Sequence, residues 1–289
     1  MIKTCVSSYS FGWGENESRE KALALIEKAA ELGFDGIEFI EGALTNMENA
    51  HLIREKCAEV GITPVAFCVG ANFAMEDEAA LENEINRVCG LVDIAVEMGV
   101  SMLRHDVAYN PFNRKYNTGY DAALPYMVKG IRAVAEYAES RGIKTMTENH
   151  GYFSQDALRV EKLINAVSHP NFGALVDIGN FMVVDEDPCV SVGIMAPYAI
   201  HVHCKDFYFK SGSEIDPGEG WLTTRGGNKL RGCVIGFGAA KAAQSIGVLK
   251  RKGYDGYMTV EYEGGDDRMW ALRVGKENLL RFIGEQNDA

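Results

Sequence analysis

The sequence predicts a single-domain α/β protein, a (β/α)₈ TIM barrel that spans residues 1–289 and carries a long loop after its seventh strand. Three observations predict this fold. Amphipathic helical segments alternate with short apolar segments, a glycine repeatedly separates the two, and the alternation gives eight strands. Strands that alternate with helices pair in parallel, because a parallel pair needs a crossover connection. A chain of 289 residues is a normal length for one such barrel.

The glycine repeat supports helix–turn–strand units. Gly33, Gly61, Gly99, Gly142 and Gly253 each follow a helical segment and precede a short apolar one. Glycine enters the left-handed conformation that ends a helix at a lower cost than a residue with a Cβ atom. An open, doubly wound sheet is the alternative, and the absence of a G-x-G-x-x-G segment after the first strand disfavours it.

Eight strands and eight helices follow from this pattern. The strands are Thr4–Ser8, Gly36–Phe39, Thr63–Cys68, Ser101–His105, Lys144–Glu148, Phe172–Asp177, Ala199–His203 and Gly256–Glu261. The helices fall near residues 18–32, 48–60, 77–98, 120–141, 156–168, 187–195, 239–252 and 266–285. One long irregular segment remains, Phe207–Gly238, and its length predicts a lid or a binding loop.

The composition excludes several classes of function. The formal net charge of −12 disfavours nucleic acid and anionic membrane surfaces as partners. Seven cysteines without a C-x-x-C pair indicate a reducing compartment, and we expect a cytoplasmic location. The N-terminus lacks the features of a signal peptide, and no apolar run is long enough to span a bilayer.

Four polar residues end the last four predicted strands. Glu148, Asp177, His203 and Glu261 occupy these positions, and the strand ends of a TIM barrel carry its active site. Any one of them alone is most simply a solvent-facing polar residue. Four on consecutive strands favour a metal site instead. Three carboxylates and one imidazole suit Mn²⁺ or Mg²⁺, with Co²⁺ or Zn²⁺ as alternatives.

Four segments carry a resemblance to a known superfamily. They are Thr147-Glu148-Asn149-His150-Gly151, Val176-Asp177-Ile178-Gly179-Asn180, His201-Val202-His203-Cys204-Lys205-Asp206 and Thr259-Val260-Glu261-Tyr262. With them the chain resembles, over essentially its whole length, the xylose-isomerase-like sugar isomerases and epimerases. The resemblance implies one divalent metal, most often manganese, at the four strand-end residues.

The same resemblance implies proton abstraction next to a sugar carbonyl, with a metal-stabilised enolate. The ketose 3-epimerases of this superfamily use their first and last metal-binding glutamates as acid and base, which would be Glu148 and Glu261 here. Their pattern is incomplete in this chain. Asn180 and Ser154 stand where those epimerases have a histidine and a glutamate, and Arg225 lies far from the position of their substrate-binding arginine.

Further candidates lie near the same strand ends. His150 shares a strand face with Glu148 and is a candidate acid or base, with capping of a loop as the alternative. Glu38, His105 and Lys205 end other strands and could orient sugar hydroxyls. His201 is expected to be a buried, hydrogen-bonded histidine.

Two further residues are candidates for substrate binding. Trp13 follows the first strand and could stack on a sugar or on a flat aglycone, with loop packing as the alternative. Arg231, in a glycine-rich segment with Arg225, could bind a phosphate or a hydroxyl-rich ligand, with a solvated loop as the alternative.

Three other functions are weighed against the isomerase or epimerase. The chain also resembles the large subunits of bacterial C-glycoside deglycosidases, which cleave the sugar–aglycone C–C bond of 3-oxo-C-glycosides and imply a small partner subunit. A non-catalytic sugar-binding subunit is the second alternative. DNA-repair barrels of the endonuclease IV type are the third, and the six histidines and negative charge disfavour them. We expect a carbohydrate or glycoside ligand and an oligomer.

Overall fold

The computed structural model describes residues 1–12, 18–108 and 119–284, and its centre is a closed barrel of eight parallel strands. Each barrel strand pairs with the next barrel strand along the chain, and the last pairs with the first. The barrel strands are β1 (Lys3–Ser7), β2 (Gly36–Ile40), β3 (Thr63–Val69), β4 (Met102–His105), β5 (Lys144–Glu148), β6 (Phe172–Asp177), β7 (Ala199–Cys204) and β11 (Tyr257–Val260). The predicted fold is confirmed.

Eight α-helices connect and cover these strands in the described part of the chain. They are α1 (Arg19–Glu31), α2 (Ala50–Val60), α3 (Glu78–Met98), α4 (Tyr120–Ser140), α5 (Ala157–Val167), α6 (Pro188–Met195), α7 (Ala242–Arg251) and α8 (Arg268–Gly284). All five glycines of the predicted repeat have positive φ, as Gly61 at 76° and Gly99 at 75° illustrate. Both of these end a helix, α2 and α3 respectively.

The main apolar core lies between the strands and the helices, as the burial of both faces of a parallel sheet requires. A smaller apolar cluster, formed by Cys5, Val65, Ala66, Cys68, Met146 and Leu175, fills the barrel interior. Polar residues therefore accumulate above this cluster, at the carboxyl ends of the strands. Among the described residues no helix combines the length and apolarity needed to cross a bilayer.

The segment predicted as a long loop is instead a small antiparallel sheet. Its strands are β8 (Asp206–Lys210), β9 (Leu222–Thr223) and β10 (Lys229–Cys233), in the order β8-β10-β9. Leu230 pairs with Phe209 and Gly232 with Phe207. The strands are short and glycine-rich, so their pairing shows only weakly in the sequence pattern.

One carboxylate fixes both ends of this excursion. Asp206 Oδ1 accepts hydrogen bonds from the backbone N–H groups of Phe207 and Ala240, each at 2.9 Å. Its Oδ2 accepts from Gly236 at 2.8 Å and Gly238 at 3.0 Å. The chain therefore leaves and rejoins the barrel at a single side chain.

Candidate metal centre

The four predicted metal ligands meet at the mouth of the barrel. Glu148, Asp177, His203 and Glu261 each offer a ligand atom, and these atoms all lie within 4.8 Å of one another. Strand register produces the meeting, since Asp177 pairs directly with His203 across β6 and β7. His203 Nδ1 lies 3.3 Å from Glu261 Oε2, 3.6 Å from Glu148 Oε1 and 3.9 Å from Asp177 Oδ2.

The two carboxylate oxygens of Asp177 differ in their hydrogen bonding. Its Oδ1 accepts backbone hydrogen bonds from Gly179 at 2.7 Å and Asn180 at 3.0 Å. Its Oδ2 is buried without a hydrogen-bond partner, and so is His203 Nδ1. Buried polar atoms without partners are rare in folded proteins and often mark the place of an ion. Both atoms face the centre of the cluster, so the donor set fits a divalent cation.

The charges at the cluster are strongly coupled. Burial, together with repulsion by Glu148 and Glu261, raises the pKa of Asp177 to about 7 against the opposing effect of Lys205. Burial also acts to raise the pKa of Glu261, but Lys205 and His203 lower it to about 2. For His203, burial is outweighed by Glu38, Glu261 and Glu148, which raise its pKa well above the usual value. An additional positive charge at the centre would relieve this repulsion.

Glu38 lies behind the cluster of Glu148, Asp177, His203 and Glu261, here the carboxylate–histidine cluster, and contacts two histidines. Its Oε1 is 2.8 Å from His203 Nε2, and its Oε2 is 2.9 Å from His201 Nε2. Thr259 Oγ1 lies 3.1 Å from the same Oε2 atom. Both oxygens of Glu38 thus lie close to a histidine, while the residue also lines the cavity at the barrel mouth, and its contact to sugar hydroxyls stays a prediction. A carboxylate behind a ligating histidine fixes the orientation of the ring. His201 is buried and hydrogen-bonded, as expected.

His105 points away from the barrel mouth. Its ring packs edge-on against Phe73 and stacks on Phe172, with centroid distances of 5.4 and 5.8 Å. Burial lowers the pKa of His105 to about 4, so the ring is neutral near pH 7. This placement disagrees with the predicted role in substrate binding. The reason is strand alternation, because on β4 the neighbouring Arg104 takes the inward position.

Arg104 and Asp106 are site residues that the sequence analysis did not identify. Arg104 Nη2 lies 2.6 Å from Glu148 Oε2 and 2.8 Å from Asp106 Oδ1. Asp106 Oδ1 in turn lies 3.0 Å from His150 Nδ1. The signal for them was present as an arginine and an aspartate two residues apart at a strand end, which places both on one face.

His150 and Lys205 lie beside the cluster, as predicted. The His150 side chain is 42% exposed, and its interaction with Asp106 raises its pKa against the opposing effect of burial. Lys205 Nζ lies 2.8 Å from Glu261 Oε2, 3.3 Å from Asp177 Oδ2 and 3.6 Å from Glu263 Oε1. An ammonium so close to the cluster can donate to a ligand oxygen there.

The carboxylate–histidine cluster opens into a cavity of about 250 Å³, which we call the polar cavity. Its lining is mostly charged, and consists of Tyr9, Glu38, Ile40, Cys68, Arg104, Glu148, His150, His203, Lys205, Glu261 and Glu263. Charged and hydrogen-bonding walls of this kind suit a small ligand rich in oxygen.

A second cavity of about 180 Å³, here the second cavity, shares His150, Lys205 and Glu263 with the polar cavity. Its other walls are Gly151, Tyr152, Gln155, Asn180, Val183, Phe207 and Leu222. The hydroxyl of Tyr152 donates to Thr223 O at 3.0 Å, which ties this wall to the antiparallel sheet. The two cavities adjoin across the three shared residues.

The remaining candidates lie away from these cavities. Arg231 is exposed on β10 and does not line either cavity. Arg225 contacts the carboxylate of Asp156 and donates to Tyr152 O at 2.6 Å, so its charge is already paired. These placements favour the alternative of a solvated loop, and ligand binding by Arg231 stays a prediction. Trp13 lies outside the described residues.

Comparison with known proteins gives one family and many similar folds. A family model described as a xylose isomerase-like TIM barrel matches residues 26–281. No curated protein sequence matches the chain. An L-ribulose 3-epimerase structure has a TM-score of 0.77 at 14% identity, covering 98% of this chain and 95% of its own. A D-psicose 3-epimerase studied with D-fructose has a TM-score of 0.72 at 17% identity, covering 98% and 100%.

A third similar structure is a xylose isomerase-like TIM barrel protein from Mycobacterium smegmatis in complex with magnesium. It has a TM-score of 0.72 at 18% identity and covers 97% of this chain and 96% of its own. At sequence identities this low, the structural similarity shows a common fold alone.

Proposed function

The chain belongs to the xylose isomerase-like TIM-barrel family, and from this premise we propose that it is a metal-dependent enzyme that moves a proton at a carbon next to a sugar carbonyl. The observation that carries the proposal is the cluster of Glu148, Asp177, His203 and Glu261, whose ligand atoms lie within 4.8 Å of one another. These residues would hold one divalent ion, Mn²⁺ by preference and Mg²⁺, Co²⁺ or Zn²⁺ as alternatives. When bound, the ion would supply Lewis-acid stabilisation of negative charge on a substrate oxygen.

Glu261 is the better placed of the two proposed glutamate bases. Its side chain is 12% exposed and lines the polar cavity. Glu148 is more confined, since Oε1 accepts a hydrogen bond from Asn180 at 2.8 Å and Oε2 contacts Arg104 at 2.6 Å. We therefore assign Glu261 as the acid or base and Glu148 mainly as a ligand.

His150 is the proposed partner of Glu261. Its Nδ1 faces Asp106, which leaves Nε2 as the atom that can exchange a proton with substrate. In the proposed reaction Glu261 takes a proton from the carbon next to the carbonyl, and the electron pair moves toward the carbonyl oxygen. His150 then returns a proton to the substrate, and Lys205 donates a hydrogen bond to a substrate oxygen.

Solvent exchange tests this proposal without knowledge of the product. The protein with Mn²⁺ is incubated in D₂O with D-fructose, D-psicose or L-ribulose, and loss of C–H signals is followed by NMR. The wild type is expected to exchange a proton next to a carbonyl. Glu261→Gln is expected to exchange at least about 100-fold more slowly with unchanged circular dichroism. Sugar binding without any exchange would instead support the non-catalytic subunit.

The second cavity supports a second candidate function, the cleavage of a 3-oxo-C-glycoside. A sugar in the polar cavity could extend an aglycone between His150, Lys205 and Glu263 into this space, where Phe207 and Leu222 offer apolar contacts. Removal of the C2 proton next to the C3 carbonyl would give an enolate. Its electron pair would form the C1–C2 double bond as the bond from C1 to the aglycone breaks. The released aglycone carbon would take a proton from His150.

Filling the second cavity separates the two candidates. Leu222→Trp is expected to reduce aglycone release from a 3-oxo-C-glycoside at least tenfold and to leave deuterium exchange of a free keto-sugar unchanged, because Leu222 lines the second cavity and does not line the polar cavity. Leu222→Ala serves as the size control and is expected to retain release. The assay includes the small partner subunit that this function would require. Exchange of free sugars without aglycone release would argue against cleavage.

A further inference from the structure

Arg104 is a buried cation whose position is set by two carboxylates. It lies on the inward face of β4, and its side chain is only 10% exposed. A buried guanidinium requires anionic or hydrogen-bonding partners, because the loss of its hydration is costly. One nitrogen, Nη2, meets this requirement by approaching Glu148 Oε2 at 2.6 Å and Asp106 Oδ1 at 2.8 Å.

The contacts continue from Asp106 to His150. Asp106 Oδ1, the same oxygen that faces Arg104, lies 3.0 Å from His150 Nδ1. Glu148 and His150 are themselves two residues apart at the end of β5. The four side chains therefore form a closed loop of three contacts and one short stretch of backbone, which we call the Arg104 bridge.

A second cationic side chain, Lys205, lies on the opposite side of the carboxylate–histidine cluster. Lys205 contacts Asp177 and Glu261, and in the described part of the chain it forms no ion pair with Glu148 or Asp106. The two cations thus serve different halves of the cluster. Arg104 is suited to its half because the planar guanidinium presents the two N–H bonds of Nη2 in fixed directions, whereas the N–H bonds of an ammonium can rotate.

We infer that Arg104 is a positioning residue that couples the metal ligand Glu148 to the acid–base residue His150. By holding Glu148 Oε2 and Asp106 Oδ1 on one nitrogen, it fixes both the ligand carboxylate and the carboxylate that orients the His150 ring. A substitution that moves one of these two carboxylates is therefore expected to alter the positions of both Glu148 and His150. This inference rests on the proposed metal-dependent function.

Mn²⁺ titration of the purified protein tests the bridge without any need for turnover. Arg104→Lys keeps the charge but loses the fixed N–H directions of the guanidinium, and it is expected to weaken Mn²⁺ binding about tenfold. Asp106→Asn is expected to weaken it about threefold or more, although Asp106 contacts none of the four ligands. The matched control is Asp156→Asn, which breaks the Arg225 ion pair at the barrel rim and is expected to leave Mn²⁺ affinity unchanged.

The double variant completes the test. Since both substitutions break one bridge, Arg104→Lys with Asp106→Asn is expected to bind Mn²⁺ no more weakly than Arg104→Lys alone, within about twofold. Losses that multiply would overturn the coupling, and so would an Arg104→Lys protein of wild-type affinity. Thermal unfolding of each metal-free variant checks the fold. Failure of the wild type to bind Mn²⁺ would instead overturn the proposed function.

Discussion

Glu38 Oε1 lies 2.8 Å from His203 Nε2, on the side of the imidazole that faces away from Glu148, Asp177 and Glu261. The contact directs the other ring nitrogen, Nδ1, at those three carboxylates. Glu38→Gln is expected to weaken Mn²⁺ binding about 10- to 100-fold, because it removes the anion that orients the ring. Titration followed by the electron paramagnetic resonance of free Mn²⁺ measures the loss. Glu84→Gln is the control, because that carboxylate contacts Asn72 and Arg87 and none of the four cluster residues, and equal affinities of Glu38→Gln and the wild type would contradict the assigned role.

Removal of metal is expected to lower the melting temperature. A ligand that binds only the folded state at 100 times its Kd stabilises that state by about 2.7 kcal/mol. For the wild type, EDTA should therefore lower Tm by several degrees relative to saturating Mn²⁺. Asp177→Asn should abolish this difference, since Asp177 Oδ2 faces the cluster without a hydrogen-bond partner. Differential scanning calorimetry checks both proteins, and an equal Mn²⁺-dependent shift in the two would place the ion elsewhere.

His150→Asn is expected to slow deuterium exchange of a bound keto-sugar about 10²- to 10⁴-fold. Its affinity for Mn²⁺ should fall only about threefold, through the Arg104 bridge, because His150 is not itself among the four ligands. NMR exchange rates and Mn²⁺ titration measured on one preparation separate the two effects. A large loss of Mn²⁺ affinity with little loss of rate would make His150 a structural residue.

His105→Phe is expected to leave exchange activity within about threefold of the wild type, since the ring packs between Phe73 and Phe172. The same variant tests a pH effect. Burial lowers the pKa of His105 to about 4, so the unfolded chain binds more protons than the folded one between that pH and about 6.5. Stability from neutral His105 is therefore present at pH 7 and is lost as the pH falls.

Urea unfolding at pH 7 and pH 5 measures this dependence. At pH 5 the wild type should have lost about 2 kcal/mol of the free energy of unfolding through this histidine alone. His105→Phe should lose correspondingly less over the same interval. A variant that loses as much stability as the wild type between pH 7 and pH 5 would show that other groups control the loss of stability in acid.

Asp206→Asn is expected to lower the free energy of unfolding by at least about 2 kcal/mol. The carboxylate accepts four backbone hydrogen bonds, and the amide nitrogen of asparagine cannot accept those to Gly236 and Gly238. Asp216→Asn is the control, because that carboxylate is exposed and also accepts a backbone hydrogen bond, from Gly218. Urea midpoints decide, and equal shifts in the two variants would remove the special role of Asp206.

The meeting of the four proposed metal ligands was predictable, because barrel geometry brings the carboxyl ends of all strands to one mouth and only the strand ends had to be assigned. Once strands were assigned by their alternation with helices, the last polar residue of each of the last four fell at the barrel mouth. Side-chain direction was harder to predict. On β4 both Arg104 and His105 are polar, and only strand pairing, with Arg104 opposite Cys68 and Met146, decides which one faces inward. The sequence analysis selected His105, and the structure places Arg104 there.

The antiparallel sheet and the buried contacts of Glu38 were not predictable in the same way. Pairing of Phe209 with Leu230 joins segments about twenty residues apart, and neither segment is long enough to show a clear period. Glu38 was expected at a strand end, but β2 continues to Ile40, and the two histidine partners of Glu38 come from β7, across the barrel. Such contacts depend on the closure of the barrel and not on local sequence.

Because Asp206 gathers both ends of the excursion that contains β8, β9 and β10, the length of that excursion is independent of the barrel beneath it. A shorter or longer hairpin grafted between Phe207 and Gly236 would begin and finish at the same place and leave Lys205 and His203 where they are. Such a graft would replace the wall that carries Leu222, together with its contacts to Tyr152 and Asp156, and would keep the four side chains proposed to hold an ion.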